Sequence, residues 1–384
     1  MIRLFRAEPY KLLFLIGALC SAIGIGQWIF FYLELISEYP IKTHSQLMVL
    51  GFLFSFVSGF LMTAVPRMTG THSATKFEKA TINITMLIFL ILNLFGMHEI
   101  SLVVSAVLFI FLIAYFIRRK LKMKSRSLPS GFLFIPLGLA SGLSGSLLLC
   151  LSNQGMPNLV GLGKLLLYEG FILNLIIGLG SRLIPVLTRK TVALSPAEIN
   201  ELTNRLFFIE ALVFNLSFFI EELLNARFGI LIRFVAMGFV IYKNFRLFKP
   251  MVERSKLGVG ISIASLTFPL CYFLILIFPL YRAHIIHLLY ISGFATLTFL
   301  VSVRVSLAHG GASLDLERTS NSIFVLVGAF LLASVIRVLG PIYGGNYIVG
   351  LYAGAGSLFL LGLLSWWLFL RFTFVEGSDD VEKC

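Results

Sequence analysis

Charge is scarce in this chain: Asp, Glu, Lys and Arg make up 13% of its 384 residues, about half the share typical of soluble domains. With 58% hydrophobic residues and a mean hydropathy of +0.95, that scarcity excludes an ordinary water-soluble protein. Cysteine is scarce too. Cys20, Cys150, Cys271 and Cys384 are scattered without a CxxC pair, which argues against a disulfide framework or a thiolate zinc site. CxxCH is missing, so any haem is held without thioether links. The chain also lacks a GxxxxGKS phosphate loop, an HExxH helix and a GxSxG elbow, which removes the ATPase and hydrolase readings. Long polar stretches are absent as well, leaving no room for a soluble domain.

What is there is apolar sequence. A helix needs about 20 apolar residues to cross the hydrocarbon, and backbone facing lipid must bond within its own helix. About twelve runs qualify, over 11–33, 44–65, 81–97, 100–117, 131–151, 159–185, 205–224, 226–247, 257–278, 284–305, 322–342 and 346–371. The expected fold is an all-α, multi-pass membrane protein forming one domain over 1–384, with the lipid bilayer as its main partner. Arg3, Arg6 and Lys11 flank the start of the first run, which continues past Trp28 without a small-residue cleavage site. It therefore reads as a retained helix rather than a removed leader.

An internal repeat is visible at two helix ends, where Pro66-Arg67-Met68-Thr69 resembles Pro185-Val186-Leu187-Thr188. Arg182 stands three residues before Pro185 and Arg304 three before Leu307, so the marks recur at about a third of the chain. Three four-helix pseudo-repeats over 1–130, 131–256 and 257–384 would follow. Proline near a helix end is common, so chance similarity is the competing reading.

The net charge of +13 could serve nucleic acid in a soluble protein. Here the cations sit mostly between apolar runs, so the sequence implies no nucleic-acid partner. Short cytoplasmic loops are enriched in Lys and Arg. Arg118, Arg119, Lys120, Lys122, Lys124 and Arg126 lie between the fourth and fifth runs, and Lys243, Arg246, Lys249, Arg254 and Lys256 between the eighth and ninth. Both termini are then cytoplasmic. Lys42, Lys164, Arg227, Arg233, Arg282 and Arg337 oppose the rule at or near the outer ends. They either snorkel to headgroups or meet an anion.

Six histidines, His44, His72, His98, His284, His287 and His309, are the main chemical resource, since polar groups within membrane segments default to functional hypotheses. His44 opens the second run and His284 and His287 open the tenth, so alternating topology sets all three at the outer level. Spaced i and i+3, His284 and His287 share a helix face. His309 lies on the cytoplasmic side, about 33 Å from His287 along a helix.

Two imidazoles from separate helices are what a six-coordinate haem iron takes from a protein. Lys42, Arg282, Arg233 and Arg337 lie at the depth to meet the two propionates. A histidine at a helix start also serves as an interfacial hydrogen-bonding group, and both readings stand. Met48, four residues after His44 on the same face, offers copper or iron a soft ligand or simply packs. Glu169 and Glu210 fall within the membrane, where acids relay protons or pair with a cation. Arg67, Arg182, Arg304 and His309 form a separate cytoplasmic set, suited to an anion or to a structural hydrogen-bond network. Gly138, Gly142 and Gly145 fit close helix packing or the interrupted helices of a secondary transporter. A transporter or a haem-free membrane protein is thus the alternative to a redox protein.

Three blocks resemble a known family. One is His44-Ser45-Gln46-Leu47-Met48, continuing through Gly51-Phe52 to Gly59-Phe60-Leu61-Met62-Thr63-Ala64-Val65-Pro66-Arg67-Met68-Thr69-Gly70. The second is Arg182-Leu183-Ile184-Pro185 through Thr188-Arg189, and the third runs from His287 to Arg304-Val305-Ser306-Leu307-Ala308-His309-Gly310-Gly311. In order and spacing they resemble the NnrS family. The resemblance implies a twelve-helix bacterial membrane protein that binds haem b and copper and acts in nitric oxide metabolism or resistance, with nitric oxide as its small-molecule ligand. It carries over His44, His287, Arg304 and His309 as metal or site residues. If the protein is an enzyme, the implied activity is a nitric oxide reductase-like oxidoreductase; no electron donor is named by the sequence. Gln46 and Leu47 stand where the family shows a second histidine and Glu, and Gly310 where it shows Thr, which removes one candidate copper ligand.

The layout also resembles the main subunit of haem-copper oxidases, with three four-helix arcs and haem ligands on helices two and ten. This is likeness of architecture alone. The copper histidines of that superfamily lie on helices six and seven, which have none here, so its oxygen chemistry is not carried over.

Orientation is open to a direct measurement. A fluorescent protein fused in the 118–126 loop should glow and alkaline phosphatase there should be inactive; the opposite pair of results would reverse the topology.

Overall fold

The computed structural model describes residues 8–123, 130–189, 201–343 and 345–375. Arg3, Arg6, Lys124, Arg126 and Cys384 lie outside the described residues. Among the described residues, ten helices are long and apolar enough to cross a membrane. They are α1 (Pro9–Tyr32), α2 (Ile41–Thr69), α3 (Lys76–Leu94), α4 (His98–Leu121), α5 (Ser130–Asn153), α6 (Pro157–Leu187), α9 (Lys256–Ile277), α10 (Pro279–His309), α11 (Asn321–Tyr343) and α12 (Ile348–Phe374). Between α6 and α9 lie α7 (Glu201–Leu223) and α8 (Ala226–Phe239). Acidic residues interrupt α7, and regular α8 spans only 14 residues before a π-helical turn over Val240–Asn244. Among the described residues, then, the chain is an all-α, multi-pass membrane protein.

Local chemistry sets the ends of these rods. Pro9 occupies the first turn of α1, where its missing N–H costs no bond. Thr75 and Glu78 close a reciprocal capping box on α3. Arg119, arriving from the end of α4, donates to Glu78 at 2.9 Å and ties the two helices together. Gly70 ends α2 at φ 63°, a left-handed turn that glycine adopts without a Cβ penalty. Pro66 lies inside α2 and cannot donate to the carbonyl of Met62, four residues back. The hydroxyl of Tyr115 donates to that oxygen instead, at 3.1 Å.

Burial separates three helices from the rest. In their most apolar stretches α2, α6 and α10 are 78, 67 and 72% buried, against 39 to 56% for the other seven spans. Each of the three also carries a π-helical segment, over Leu47–Leu53, Leu165–Gly170 and Leu288–Ala295. The outer helices close around them: α4 packs on α5, α8 on α9, and α12 returns to α1. At the far ends of α2 and α6 the side chains of Thr69 and Thr188 make matching bonds, donating to Val65 O at 2.8 Å and Ile184 O at 2.7 Å.

The glycines of α5 serve packing. A Cβ on Gly138 would meet Phe171 O at 2.9 Å, and one on Gly145 would meet Leu167 N at 2.6 Å, so α5 and α6 touch backbone to backbone. Gly142 receives the ring of Phe109 from α4. Cys20, Cys150 and Cys271 are free thiols. Because backbone cannot yield as a flexible side chain does, Gly145→Leu should lower stability by about 1–3 kcal/mol, read as an earlier thermal transition in detergent, whereas the lipid-facing Leu147→Ala should change it little.

Candidate functional site

The starts of α2, α10 and α12 and the ends of α1 and α11 meet at one end of the bundle, and an aromatic chain joins them. The ring of Trp28 on α1 stands edge-on to His44 at 5.7 Å, to Tyr39 at 5.2 Å and to Tyr352 at 5.3 Å. Tyr352 stacks on His284 at 6.4 Å. The guanidinium of Arg337 lies 3.8 Å over Tyr352 and 6.0 Å from Trp28. His287, one turn beyond His284, stands edge-on to Tyr290 at 5.9 Å. The three outer histidines expected to converge thus share one neighbourhood, each half-buried.

Hydrogen bonds distinguish them. Nδ1 of His44 lies 2.9 Å from Gly24 O, and Nδ1 of His287 lies 2.9 Å from Ala283 O. A carbonyl oxygen only accepts, so each Nδ1 carries the proton and each Nε2 keeps its lone pair. His284 is the reverse. Its Nδ1 lies 2.9 Å from Nη1 of Arg337, which only donates, so the His284 proton sits on Nε2.

The remaining expected residues separate into distinct sets. Lys42 is exposed at this end. The sulfur of Met48 packs on Gly24, 3.3 Å from where a Cβ there would stand. Gln46 donates to the carbonyl of His98 at 3.2 Å and accepts from the hydroxyl of Ser101, fastening α2 to the start of α4. Among the described residues, no three His, Cys, Asp or Glu side chains converge as a protein-held metal ion would need. Haem is not subject to that count, since the porphyrin supplies four ligands itself. A hollow of about 520 Å³ at this end is lined by Phe31, Tyr32, Tyr347 and Gly350 among others, and none of the histidines lines it.

Arg233 and Arg282 are held in a network of their own. Arg233, wholly buried, donates to Glu221 at 2.7 Å, Glu169 at 3.3 Å and Ser217 at 3.2 Å. Arg282 reaches the other oxygens of the same acids, at 2.8 Å from Glu169 and 2.5 Å from Glu221. Tyr272 donates to Glu169 at 2.7 Å. Two guanidinium groups and two carboxylates thus neutralise one another across α6, α7, α8 and α10. Glu210 instead accepts from Asn244 at 2.8 Å.

At the opposite end, Arg67 donates to Glu8 at 2.5 Å and lies 3.2 Å from Nε2 of His309, whose Nδ1 is 2.9 Å from Glu8. Burial alone would raise the carboxyl pKa of Glu8, but its hydrogen bond to His309 and the charges of His309, Arg67 and Lys11 hold it below the usual range. Arg304 pairs with Glu317 at 2.8 Å, and Arg182 is exposed. The expected set of four is therefore two ion-paired groups and a separate arginine.

Sequence reading missed Trp28, Tyr352 and Glu221. Aromatic residues near span ends are the signal for the first two, but nothing in spacing tells which acid a buried arginine will find. Removing one partner from a buried ionic cluster strands the others, so Arg233→Met should cost about 3–5 kcal/mol of stability, and adding Glu221→Leu should restore part of it; equal stability of Arg233→Met and the parent would refute the network.

No curated protein matches the chain. The family model described as NnrS protein matches residues 4–375. From before α1 to the end of α12 this chain therefore belongs to the NnrS family.

Proposed function

We propose that this protein binds haem b through His44 and His287 and acts in nitric oxide metabolism or resistance. The observation that carries the reading is the pair of Nδ1–H donations to Gly24 O and Ala283 O. Metal-binding imidazoles characteristically spend one nitrogen on a backbone carbonyl or carboxylate, which fixes the ring and leaves the other nitrogen basic. His44 and His287 have that arrangement at one end of the bundle, and His284 does not. Family membership links the chain to nitric oxide and to haem and copper at the same coarse level.

When bound, the haem would supply a one-electron iron centre. The chain's part is to hold and orient. The carbonyls of Gly24 and Ala283 fix the two rings, Trp28 and Tyr352 wall the site with aromatic faces, and Arg337 offers its remaining donors to a propionate. Lys42 is the second cation free to turn towards a carboxylate, whereas Arg233 and Arg282 already serve Glu169 and Glu221. Arg337 in turn holds His284 as a positioning residue. Copper would need ligands beyond Met48 and these imidazoles, and no step is derived through it. If the protein is an enzyme, reduction or detoxification of nitric oxide is the activity in view.

The architecture proposed with this function has twelve spans, α7 and α8 included, in three four-helix pseudo-repeats around α2, α6 and α10. The recurring π-helical segments and the matched Pro66–Thr69 and Pro185–Thr188 ends support it. The histidine end faces outward and both termini face the cytoplasm.

Purified protein from haem-replete cells should show a Soret band and a b-type pyridine haemochrome. His44→Ala and His287→Ala should each lose haem, while His284→Ala should retain it. Colourless parent protein would overturn the haem reading, and haem lost from His284→Ala but kept in His287→Ala would exchange the two ligand roles.

A further inference from the structure

Among the described residues five glutamates are buried: Glu78, Glu169, Glu210, Glu221 and Glu317. Four of them meet an arginine. Glu210 does not. Its hydrogen-bond partner is the amide of Asn244, whose Nδ2 lies 2.8 Å from Oε1 and 3.1 Å from Oε2. Glu210 is buried beside Ala211 and Phe214, whereas Phe208, Ile209, Leu212 and Val213 are exposed, so this stretch of α7 turns apolar side chains to lipid and its carboxyl to the bundle.

The cation closest in sequence to that amide is Lys243, which precedes Asn244 in the π-helical turn Val240–Asn244. Its Nζ is buried, has no hydrogen-bond partner among the described residues, and lies 5.0 Å from the ring centroid of Phe239. An aromatic face holds an ammonium only weakly. The other ionisable groups of the helices that pack together here are engaged elsewhere. Lys164, Arg205, Glu222 and Arg227 are exposed. Glu169, Glu221 and Arg233 belong to the ionic cluster, and Glu221 lies about 16 Å further along α7.

An ionised carboxylate taken out of water needs several charged or polar partners. One amide is too few. A neutral acid is satisfied with less, since one oxygen accepts from Asn244 and the other carries its own hydrogen. The same corner also holds what ionisation would require, because an ammonium without a hydrogen-bond acceptor stands one residue from the amide.

We propose that Glu210 is a proton-binding site within the membrane, held as a neutral acid against Asn244, and that Lys243 swings from the ring of Phe239 to pair with it when the proton leaves. The step breaks the carboxyl O–H bond, passes the proton to solvent water at the Asn244 end of the helix pair, and leaves a carboxylate balanced by an ammonium. No part of it requires haem, so it stands apart from the function proposed above and is testable on colourless protein.

The test is infrared spectroscopy of the full-length protein in nanodiscs, titrated with alkali. The parent should show a protonated-carboxyl C=O stretch at neutral pH that shifts in D2O and is missing from Glu210→Gln. Asn244→Leu, which removes the amide and keeps the acid, should move the same band to the frequency of a less hydrogen-bonded carboxyl, an assignment that does not depend on the folding of Glu210→Gln. Lys243→Met should raise the titration midpoint of the band by about one unit, or about tenfold tighter proton binding, because the compensating charge is gone. Identical spectra of parent, Glu210→Gln and Asn244→Leu would overturn the site, as would a band that neither D2O nor alkali alters. An unchanged midpoint in Lys243→Met would overturn its role as counter-ion.

Discussion

Inside a bilayer a polar group has no water to fall back on, and this constraint governs the structure. At several points where the chain departs from plain apolar helix, a partner answers. Tyr115 donates to the carbonyl that Pro66 strands. Glu169 and Glu221 receive Arg233 and Arg282. Gln46 binds the first turn of α4. Each departure fixes one helix against another, so the polar minority of the chain specifies an arrangement that apolar surfaces alone would leave loosely determined.

The inner helices carry most of that information. α2, α6 and α10 combine greatest burial, π-helical segments and the candidate chemistry. A π-helical turn shifts the facing of everything beyond it and recurs at functional sites. In α2 and α10 it begins within a turn of a candidate ligand, at Leu47 after His44 and at Leu288 after His287. Imidazole direction and helix irregularity thus belong to one local design.

Most of the helix pattern was readable in the sequence, because uninterrupted apolar runs have few alternatives in lipid. The run expected over 44–65 is the helix Ile41–Thr69, and that over 284–305 is Pro279–His309; both extend past polar ends that a hydrophobic count omits. The shared level of His44, His284 and His287 was readable from alternation. Their different hydrogen bonds were not, since the proton position depends on Gly24, Ala283 and Arg337, which lie on other turns or other helices. Arg233 and Arg282 looked like free outer cations because depth is encoded by position along a segment, whereas pairing depends on which faces meet. Arg67, His309, Arg304 and Arg182 shared a level for the same reason, yet Glu8 and Glu317 divide them.

Arg282 stands five residues before His287 on the same rod, gripped by two carboxylates from α6 and α7. Sliding or rolling α10 would drag that guanidinium away from both acids at once. The imidazole is therefore mounted on a mast stayed from two sides, and its height and heading are tied to both of those carboxylates.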